Sequence, residues 1–379
     1  MSTASSPAPQ TLHPHAANAS PRGNEYPGHS LRRYYPLRLW ASWLDRHTSQ
    51  SRLRRFSRRL YRCTFPRSFK HMSHAGTRFA LQAIPGSEVQ KSILWDGKVV
   101  GRTASLAAIR NADAGACFIL ATGPSIKELD LAKLGGHKVL GVNGAIVKLQ
   151  ELGIRPQYYV ISDDDFAVHR FAMVSQAVAT GAKCFFSPSV LAAICEREPK
   201  ILQGSNIHLL EPVNQLYGLP RLDDPEFADA AGRDDDMILR NPPGMPADRI
   251  GFSKNIQKGC FMVCTVVYGA VQAAYYAGFR RIYILGMDLD YSGINPRFYE
   301  TAAQMRPTQI AREYEPSIKP AFEVLRDFCL REDFKVYNLS NKSRLPAEIM
   351  PRMGFEQAIN EARLVHDEPG ISHTGKRFA

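Results

Sequence analysis

Four short stretches of this chain place polar side chains directly behind apolar, β-rich runs, where a folded backbone would hold them at the end of a strand, open to a ligand. In Thr122-Gly123-Pro124-Ser125-Ile126-Lys127-Glu128, Gly123 permits a tight turn, and Ser125 and Glu128 have capping-box spacing. Free backbone amides would then face whatever lies above. A phosphate or a ribose suits such a turn. So does an ordinary strand-to-helix connection, because the run is neither a dinucleotide fingerprint nor a P-loop. In Val142-Asn143-Gly144 an amide side chain would project from the carboxyl edge of a sheet, where open α/β sheets bind ligands, although a plain Asn-Gly turn reads the same way. Ser162-Asp163-Asp164-Asp165 offers an Asp-x-Asp. Asp163 and Asp165 could hold a divalent metal against a nucleotide diphosphate, or simply open a solvated, dipole-favoured helix. Gly286-Met287-Asp288-Leu289-Asp290-Tyr291 follows the strongest β run. Asp288 is placed there to accept hydrogen bonds from a sugar or base, and Tyr291 to donate to a phosphate oxygen.

Such segments meet only if the strands before them lie side by side. From Ala116 onward, short β-rich runs alternate with helical ones, the pattern of a doubly wound sheet. The strands expected are Cys117 to Ala121, Lys138 to Val142, Tyr158 to Ser162, Lys183 to Ser187, Ile207 to Leu210, Arg281 to Leu285 and Lys335 to Leu339. Helices are expected over Ala145 to Leu152, Val190 to Arg197, Phe261 to Ala277 and Pro320 to Leu330, several of them ending at a Gly or before a Pro. Ahead of this alternation, Ser92 to Trp95 and Val99-Val100 flank Asp96-Gly97, a hairpin signature. Residues 212–256, rich in Pro, Gly and Asp, break the rhythm and suggest a mobile lid-like insertion. The fold expected is α/β: a Rossmann-like, doubly wound, mostly parallel sheet with that insertion and a basic N-terminal extension. In domains, 1–30 form a disordered tail, 31–75 a basic amphipathic segment, 76–365 the Rossmann-like domain and 366–379 a C-terminal tail.

Length and a 44% hydrophobic content allow a substantial core. The seven cysteines are scattered and odd in number, without the spacing of a zinc site or a disulfide scaffold, so a reducing cytosol is expected. Cys260 and Cys264 could share a helix face; lacking His or Cys partners, they read as small packed side chains. Residues 1–30 hold no apolar core segment, so no signal peptide is expected. The uncharged run Gly259 to Gly278 has membrane-spanning length, but its Gln272, Gly269, Thr265 and three tyrosines favour a buried helix.

Charge is concentrated at one place. Between Leu31 and Lys70, twelve Lys and Arg face a single acid, Asp45, a net +11 of the chain's +12. Leu39, Trp40, Trp43 and Leu44, then Leu53, Phe56 and Leu60, recur at helical spacing among the arginines, which describes an interfacial helix on an anionic membrane surface. Nucleic-acid binding and a solvated arm are the competing readings; two tryptophans facing one way favour the membrane.

Read in order, three segments resemble a known family: ILATGPSIKELDL (119–131), GVNGAIVKLQELGIRPQYYVISD (141–163), and a run from IGFSKNIQKGC (250–260) through YILGMDLDYSG (283–293) and RFYE (297–300) to KVYNLSNKSRLP (335–346). Together, over about residues 116–350, they resemble the WaaZ-type transferases, which add a Kdo residue to the inner core of lipopolysaccharide. More distantly, the Gly-Pro-Ser turn and the strand ends resemble bacterial sialyltransferases that use a CMP-sugar. The turn alone is shared with a wider group that includes a pterin pyrophosphokinase.

The resemblance implies a glycosyltransferase with a CMP-activated donor such as CMP-Kdo, a lipopolysaccharide core acceptor and inversion at the anomeric carbon, working in the cytoplasm, peripheral to the inner membrane. By match to the sialyltransferase pattern, Gly123, Pro124, Ser125 and Asn143 would face the CMP phosphate and ribose, and Gly286 with Asp288 would hold the nucleotide. Gln257, Lys258 and Gly259 would lie near the phosphate and the donor carboxylate, which Lys258 or Lys254 could pair. Where sialyltransferases place a histidine base this chain has Glu313, the candidate base. The sialyltransferase tyrosine is replaced by Asp290, so stabilising the leaving phosphate passes to Tyr291, Tyr299 or Arg297. No cofactor is expected to be obligatory. The rival readings are a UDP-sugar transferase needing Mg or Mn on Asp163 and Asp165, a non-catalytic basic adaptor, and a pyrophosphokinase.

Overall fold

The structure, a computed structural model, describes residues 35–47, 51–75, 78–87, 90–290, 297–301, 303, 305–306 and 308–367. The tails expected at 1–30 and 366–379 lie largely outside the described residues, and so does Tyr291.

In chain order, helices α1 (Tyr35–His47) and α2 (Ser51–Cys63) and a 3-10 segment (Arg67–Ala75) precede an antiparallel sheet of β1 (Phe79–Ala83), β2 (Lys91–Trp95) and β3 (Lys98–Arg102). The expected Asp96-Gly97 turn joins β2 to β3. Then come β4 (Ala116–Leu120), β5 (Val139–Val142), α3 (Ile146–Glu151), β6 (Tyr158–Ile161), α4 (Asp164–His169), α5 (Phe171–Ala179), β7 (Lys183–Phe186), α6 (Pro188–Arg197) and β8 (Ile207–Leu209). Helix α7 (Asp224–Gly232) and the β9 (Met237–Leu239) and β10 (Gly251–Ser253) pair follow. The chain then runs through α8 (Val266–Ala277), β11 (Arg281–Leu285), α9 (Ile310–Glu313), a π turn (Tyr314–Ile318), α10 (Lys319–Arg331), β12 (Lys335–Asn338) and α11 (Phe355–Asp367).

Seven parallel strands form the main sheet in the order β12-β11-β4-β5-β6-β7-β8. Every residue of β4, β5 and β6 is buried, as expected of a parallel sheet covered on both faces. The pleat sorts them: Cys117 and Ile119 join the layer built with α8 and α10, and Phe118 and Leu120 the layer built with α3, α5, α6 and α11. Helix α8 is buried along nearly all its length. Its Gln272 is fully buried yet satisfied: it accepts from the N–H groups of Ser253 and Phe261 at 3.0 and 3.1 Å and donates to the carbonyls of Phe261 and Tyr268. That polar knot inside the protein explains a glutamine in a membrane-length apolar run. Among the described residues no helix is long and apolar enough to cross a membrane.

Two expectations change. The 212–256 insertion is folded: α7 carries a capping box at Asp223 and Glu226, β9 pairs with β10, and Phe227, Ala247, Ile250 and Phe252 belong to the core. It is a packed part of the domain, not a loose lid. Helix α8 begins at Val266 instead of Phe261, leaving 261–265 as a loop; Cys260 is buried before it, but Cys264 is exposed.

The N-terminal helices form a hairpin that turns its small and polar side inward. Ala41, Ser42, Asp45 and Ser57 are buried, while Trp40, Trp43, Leu53 and Phe56 are exposed. Arg58 ties it to the body, bridging Asp45 (3.3 Å) to Glu196 of α6 (2.8 Å).

Candidate functional site

Strand order reverses at β4. From it the chain steps outward through β5 to β8, then returns to add β11 and β12 on the other side. The connections that follow β4 and β11 therefore lie on opposite faces of the sheet, Ile126 and Leu131 in one core layer and Ile318 and Phe322 in the other, and it is at such a switch point that doubly wound sheets bind ligands. A cleft of about 890 Å³ occupies this place, floored by Ala121, Thr122, Gly286 and Met287 and extended by Val142-Asn143 and Ser162 to Asp165. Its volume suits a ligand of nucleotide-sugar size. The start of α8, the segment Met262 to Val267, forms the opposite wall. The N-cap Thr265 makes no side-chain capping bond, so this helix end keeps orphan N–H groups and the positive end of its dipole at the cleft.

Asn143 sits at the tip of β5 in the left-handed region (φ 45°). Its main-chain carbonyl accepts from Tyr159 Oη (2.6 Å), which in turn accepts from the Ile146 N–H (2.7 Å), and these bonds fix the turn. Its Oδ1 is buried without a partner while the residue lines the cleft. Of the six described non-glycine residues with positive φ, three line this cleft: Asn143, Cys264 (54°) and Leu289 (57°). Backbone strain of that kind gathers at ligand sites.

The Gly-Pro-Ser turn supports the floor from behind. The Gly123 N–H donates to the Gly286 carbonyl (2.8 Å), and Ser125 donates from its N–H (2.9 Å) and hydroxyl (2.5 Å) to the carboxylate of Asp288, which is buried. A Cβ on Gly123 would lie 2.5 Å from both Asp288 Oδ2 and the Gly286 carbonyl, so only glycine fits. Thr122 and Gly286 line the cleft; Gly123, Pro124, Ser125 and Asp288 do not, and the Asp288 carboxylate is turned to Ser125 instead of to a sugar or base.

The remaining expected residues divide. Asp163, Asp165 and Arg297 line the cleft. Tyr299 lies with its ring against Gly144, where any side chain would collide with it. Asp163 caps α4, accepting from the Asp165 N–H (3.0 Å). Loss of water around it raises its carboxyl above the usual aspartate range, and Asp164 and Asp165 push the same way, against backbone hydrogen bonds from Phe166 and Asp165. Asp165 already holds Arg306 through both oxygens (3.1 and 3.0 Å). Among the described residues no group of three or more His, Cys, Asp or Glu is arranged to hold a metal ion.

Gln257, Lys258 and Gly259 do not line the cleft. Gln257 donates to the Tyr276 hydroxyl, Lys258 pairs with Asp234 (2.7 Å) and Asp236 (2.9 Å), and Gly259 packs on Val213. Lys254 and Glu313 also lie outside it. Burial alone would raise the Glu313 carboxyl, but hydrogen bonds from Arg312, Arg249 and Ser317 and the charge of Arg249 hold it below the usual range, which suits an ion-pair partner better than a base. Sequence reasoning missed Arg306, whose partner Asp165 lies 141 positions away, and Glu300, although Arg297 and Glu300 stand at i,i+3 in the segment 297–300.

Against this geometry, comparison with known proteins is decisive. Residues 102–356, about two thirds of the chain, match the family model described as 3-deoxy-D-manno-octulosonic acid transferase WaaZ. The chain belongs to the WaaZ family of Kdo transferases. Two relatives, each named a probable 3-deoxy-manno-octulosonic acid transferase, are 24% identical. The one from Salmonella typhimurium matches over 65% of this chain and 89% of its own, and the one from Escherichia coli K12 over 62% and 81%. A solved structure, the MAf glycosyltransferase from Magnetospirillum magneticum AMB-1, aligns over 84% of this chain with a TM-score of 0.36 and 13% identity; the chain spans 46% of that structure's length. WaaZ membership makes the protein a glycosyltransferase of lipopolysaccharide biosynthesis. The WaaZ match takes in the whole parallel sheet and all of the cleft but His71 and Met72, and leaves α1 and α2 outside.

Proposed function

We propose that the cleft seats a CMP-activated ulosonic acid of the Kdo type and transfers it, with inversion, to a sugar of the lipopolysaccharide inner core at the cytoplasmic face of the inner membrane. The observation that carries this reading is Asn143: a strained residue at the tip of β5 that lines the cleft and whose buried Oδ1 lacks a partner. Such a group is costly unless a ligand donates to it, as a ribose hydroxyl or a cytosine amine does. The uncapped start of α8 supports a phosphate opposite.

In the reaction the acceptor hydroxyl attacks the anomeric carbon, the new glycosidic bond forms as the bond to the CMP phosphate breaks, and CMP leaves with that electron pair. The hydroxyl's proton goes to Asp163, which takes the place expected for Glu313: it lines the cleft, and its raised pKa brings it nearer neutrality. A phosphate monoester is a competent leaving group without a fixed metal, so donors in the cleft stabilise the developing charge. The exposed aromatic side of α1 and α2, flanked by Arg52, Arg59 and Arg62, holds the enzyme on anionic lipid beside an acceptor that is itself lipid-anchored.

The test is direct. The protein is mixed with CTP, Kdo and the synthetase that joins them, and CMP release is followed on adding core lipopolysaccharide. Release that depends on the acceptor supports the reading, and its absence with a series of core acceptors overturns it.

A further inference from the structure

A second, smaller concavity adjoins the cleft. Of about 130 Å³, it lies between the helical hairpin and α6, and Asp164 and Ser189 line both spaces. One face of α6 forms its wall: Ser189, Ala192, Ala193 and Glu196 stand at i, i+3, i+4 and i+7. The two alanines leave room there, so a groove runs roughly 10 Å along the helix, from the cleft edge at Ser189 toward Glu196. Opposite α6, helix α2 contributes Arg58, Tyr61 and Arg62, and β2 contributes Trp95, whose ring carries the Arg78 guanidinium 4.4 Å from its centre. The bond from Arg58 to Glu196 (2.8 Å) closes the far end.

The chemistry of this lining is that of a sugar site. Aromatic rings, guanidiniums and carboxylates share a space suited to a sugar ring, which offers hydroxyls to polar groups and C–H faces to aromatic ones. Two of the polar groups are available to a ligand: among the described residues neither the Asp164 side chain, exposed at the junction, nor that of Arg62, exposed on α2, makes a hydrogen bond or an ion pair. Position supports the same reading. Asp164 follows Asp163, the proposed base, so the groove opens into the cleft beside the carboxylate that takes the proton. On α2, Arg58 and Phe56 are two positions apart and therefore on opposite sides of the helix, Arg58 in the groove and Phe56, 54% exposed, on the aromatic side.

We infer that this groove is the acceptor subsite. It holds the sugars of the acceptor, with Asp164 accepting from hydroxyls of the residue to be glycosylated and Arg62 donating to oxygens farther along the chain. The hairpin thus has two working faces, one for the sugar head and one for the bilayer in which the acceptor's lipid stays. This inference rests on the acceptor class proposed above.

The probe is delipidated core oligosaccharide, titrated calorimetrically without donor into full-length wild type, Ala193→Phe, Asp164→Asn and Arg62→Gln; CMP affinity, melting temperature and the acceptor KM in the transfer assay are measured alongside. Ala193→Phe, which fills the groove, and Asp164→Asn should each weaken oligosaccharide binding and raise the acceptor KM by about tenfold or more, and Arg62→Gln by about threefold or more. CMP affinity should stay within about twofold of wild type in Ala193→Phe and Arg62→Gln, neither of which lies on the cleft. Wild-type oligosaccharide affinity in Ala193→Phe overturns the subsite, and so does a loss of CMP affinity that runs parallel to the loss of oligosaccharide, since that marks a groove that only supports the fold. If Ala193→Phe fails to fold, Arg62→Gln, changed at an exposed side chain, decides with the same two outcomes. A wild type whose oligosaccharide binding depends on the groove, but which releases no CMP, would sink the transfer reading and leave the subsite standing; transfer with an unchanged acceptor KM in all three variants would do the reverse.

Discussion

Ser125 donates both its backbone N–H and its hydroxyl to the carboxylate of Asp288, at 2.9 and 2.5 Å, across 163 positions of sequence. The pair stitches the turn after β4 to the turn after β11 at the point where the strand order reverses. The Asp288 carbonyl accepts a third bond, from the Arg344 N–H at 2.7 Å. Asp288 is thus an internal tie beneath the cleft. Asp288→Ala would leave the Ser125 N–H without its acceptor in a half-buried place, with only Ser340 Oγ (3.1 Å) left for the hydroxyl, and a loss of about 1 kcal/mol or more in denaturant unfolding is expected, together with weaker CMP binding. A variant as stable as wild type that no longer binds CMP would mean that the carboxylate touches the ligand itself.

Asn143 separates backbone from side chain in the opposite way. At φ 45° glycine is at ease, so Asn143→Gly should unfold no more readily than wild type, while Asn143→Ala pays roughly 1 kcal/mol for the left-handed backbone. Both remove the amide, and both should weaken CMP binding by about tenfold in calorimetry, since a hydrogen bond to a phosphorylated ligand is of that order. Equal CMP affinity in Asn143→Gly and wild type would remove the amide from the site.

For Asp163 the variant of choice is Asn, because an amide oxygen keeps the cap on α4 that the Asp165 N–H requires. Asp163→Asn should lower kcat by about 10² to 10⁴ with little change in CMP affinity. A base must be unprotonated to act. Since the carboxyl is held above the usual aspartate range, the rate in wild type should fall on acidification at a higher pH than an ordinary aspartate would give. Activity is expected to persist in chelator; abolition by chelator and recovery with manganese would turn Asp163 and Asp165 into metal ligands.

His208 in β8 makes stability itself pH-dependent. Burial pushes its imidazole down to about 4, and the charge of Lys183 adds to this; backbone contacts at Ser105 and Ala104 work the other way. Between about 6.5 and 4 the unfolded chain takes up a proton that the folded one refuses, so stability falls as pH drops through that window, by roughly 3 kcal/mol in all. His208→Asn should flatten that part of the profile in urea melts. An unchanged slope would place the acid sensitivity elsewhere.

All seven strands of the parallel sheet were legible in the sequence, Arg281–Leu285 to the residue. The reason is physical: strands covered on both faces read as unbroken apolar runs. The insertion was misread because Pro, Gly and Asp signal turns, whereas what orders it is tertiary. Phe227, Ile250 and Phe252 are isolated in sequence but meet in one core layer. Asn143 and Gly286 could be placed at the cleft because strand ends follow from strands. Lys258 could not be excluded from it, since its partners Asp234 and Asp236 lie over twenty positions away. The same blindness hid the pairing of Arg170 with Glu300, 130 positions apart.

The helical hairpin reverses the usual sorting of side chains. Soluble helices hide their aromatic stripe, yet here Trp40, Trp43 and Phe56 are each about half exposed while Asp45, Ser42 and Ser57 are buried. An exposed aromatic stripe bordered by arginines marks an interaction surface, and the 3-10 segment that follows it brings His71 and Met72 to the cleft wall. Full-length protein should therefore bind vesicles containing anionic phosphatidylglycerol, with a blue shift of tryptophan emission, and should bind neutral phosphatidylcholine vesicles far less. Removing Trp40, Trp43 and Phe56 together (each to Ser) should cut partitioning by at least about tenfold, because each aromatic contributes on the order of 1 kcal/mol or more on burial. Added salt should weaken binding further, through the arginines. The melting temperature should hold, as these side chains already face solvent. Transfer to a delipidated core oligosaccharide should also be unaffected, because none of the three lines the cleft. Vesicle binding as strong in the triple variant as in wild type would sink the membrane reading, and a preference of wild type for duplex nucleic acid over anionic vesicles would assign the arginines to phosphates of another kind.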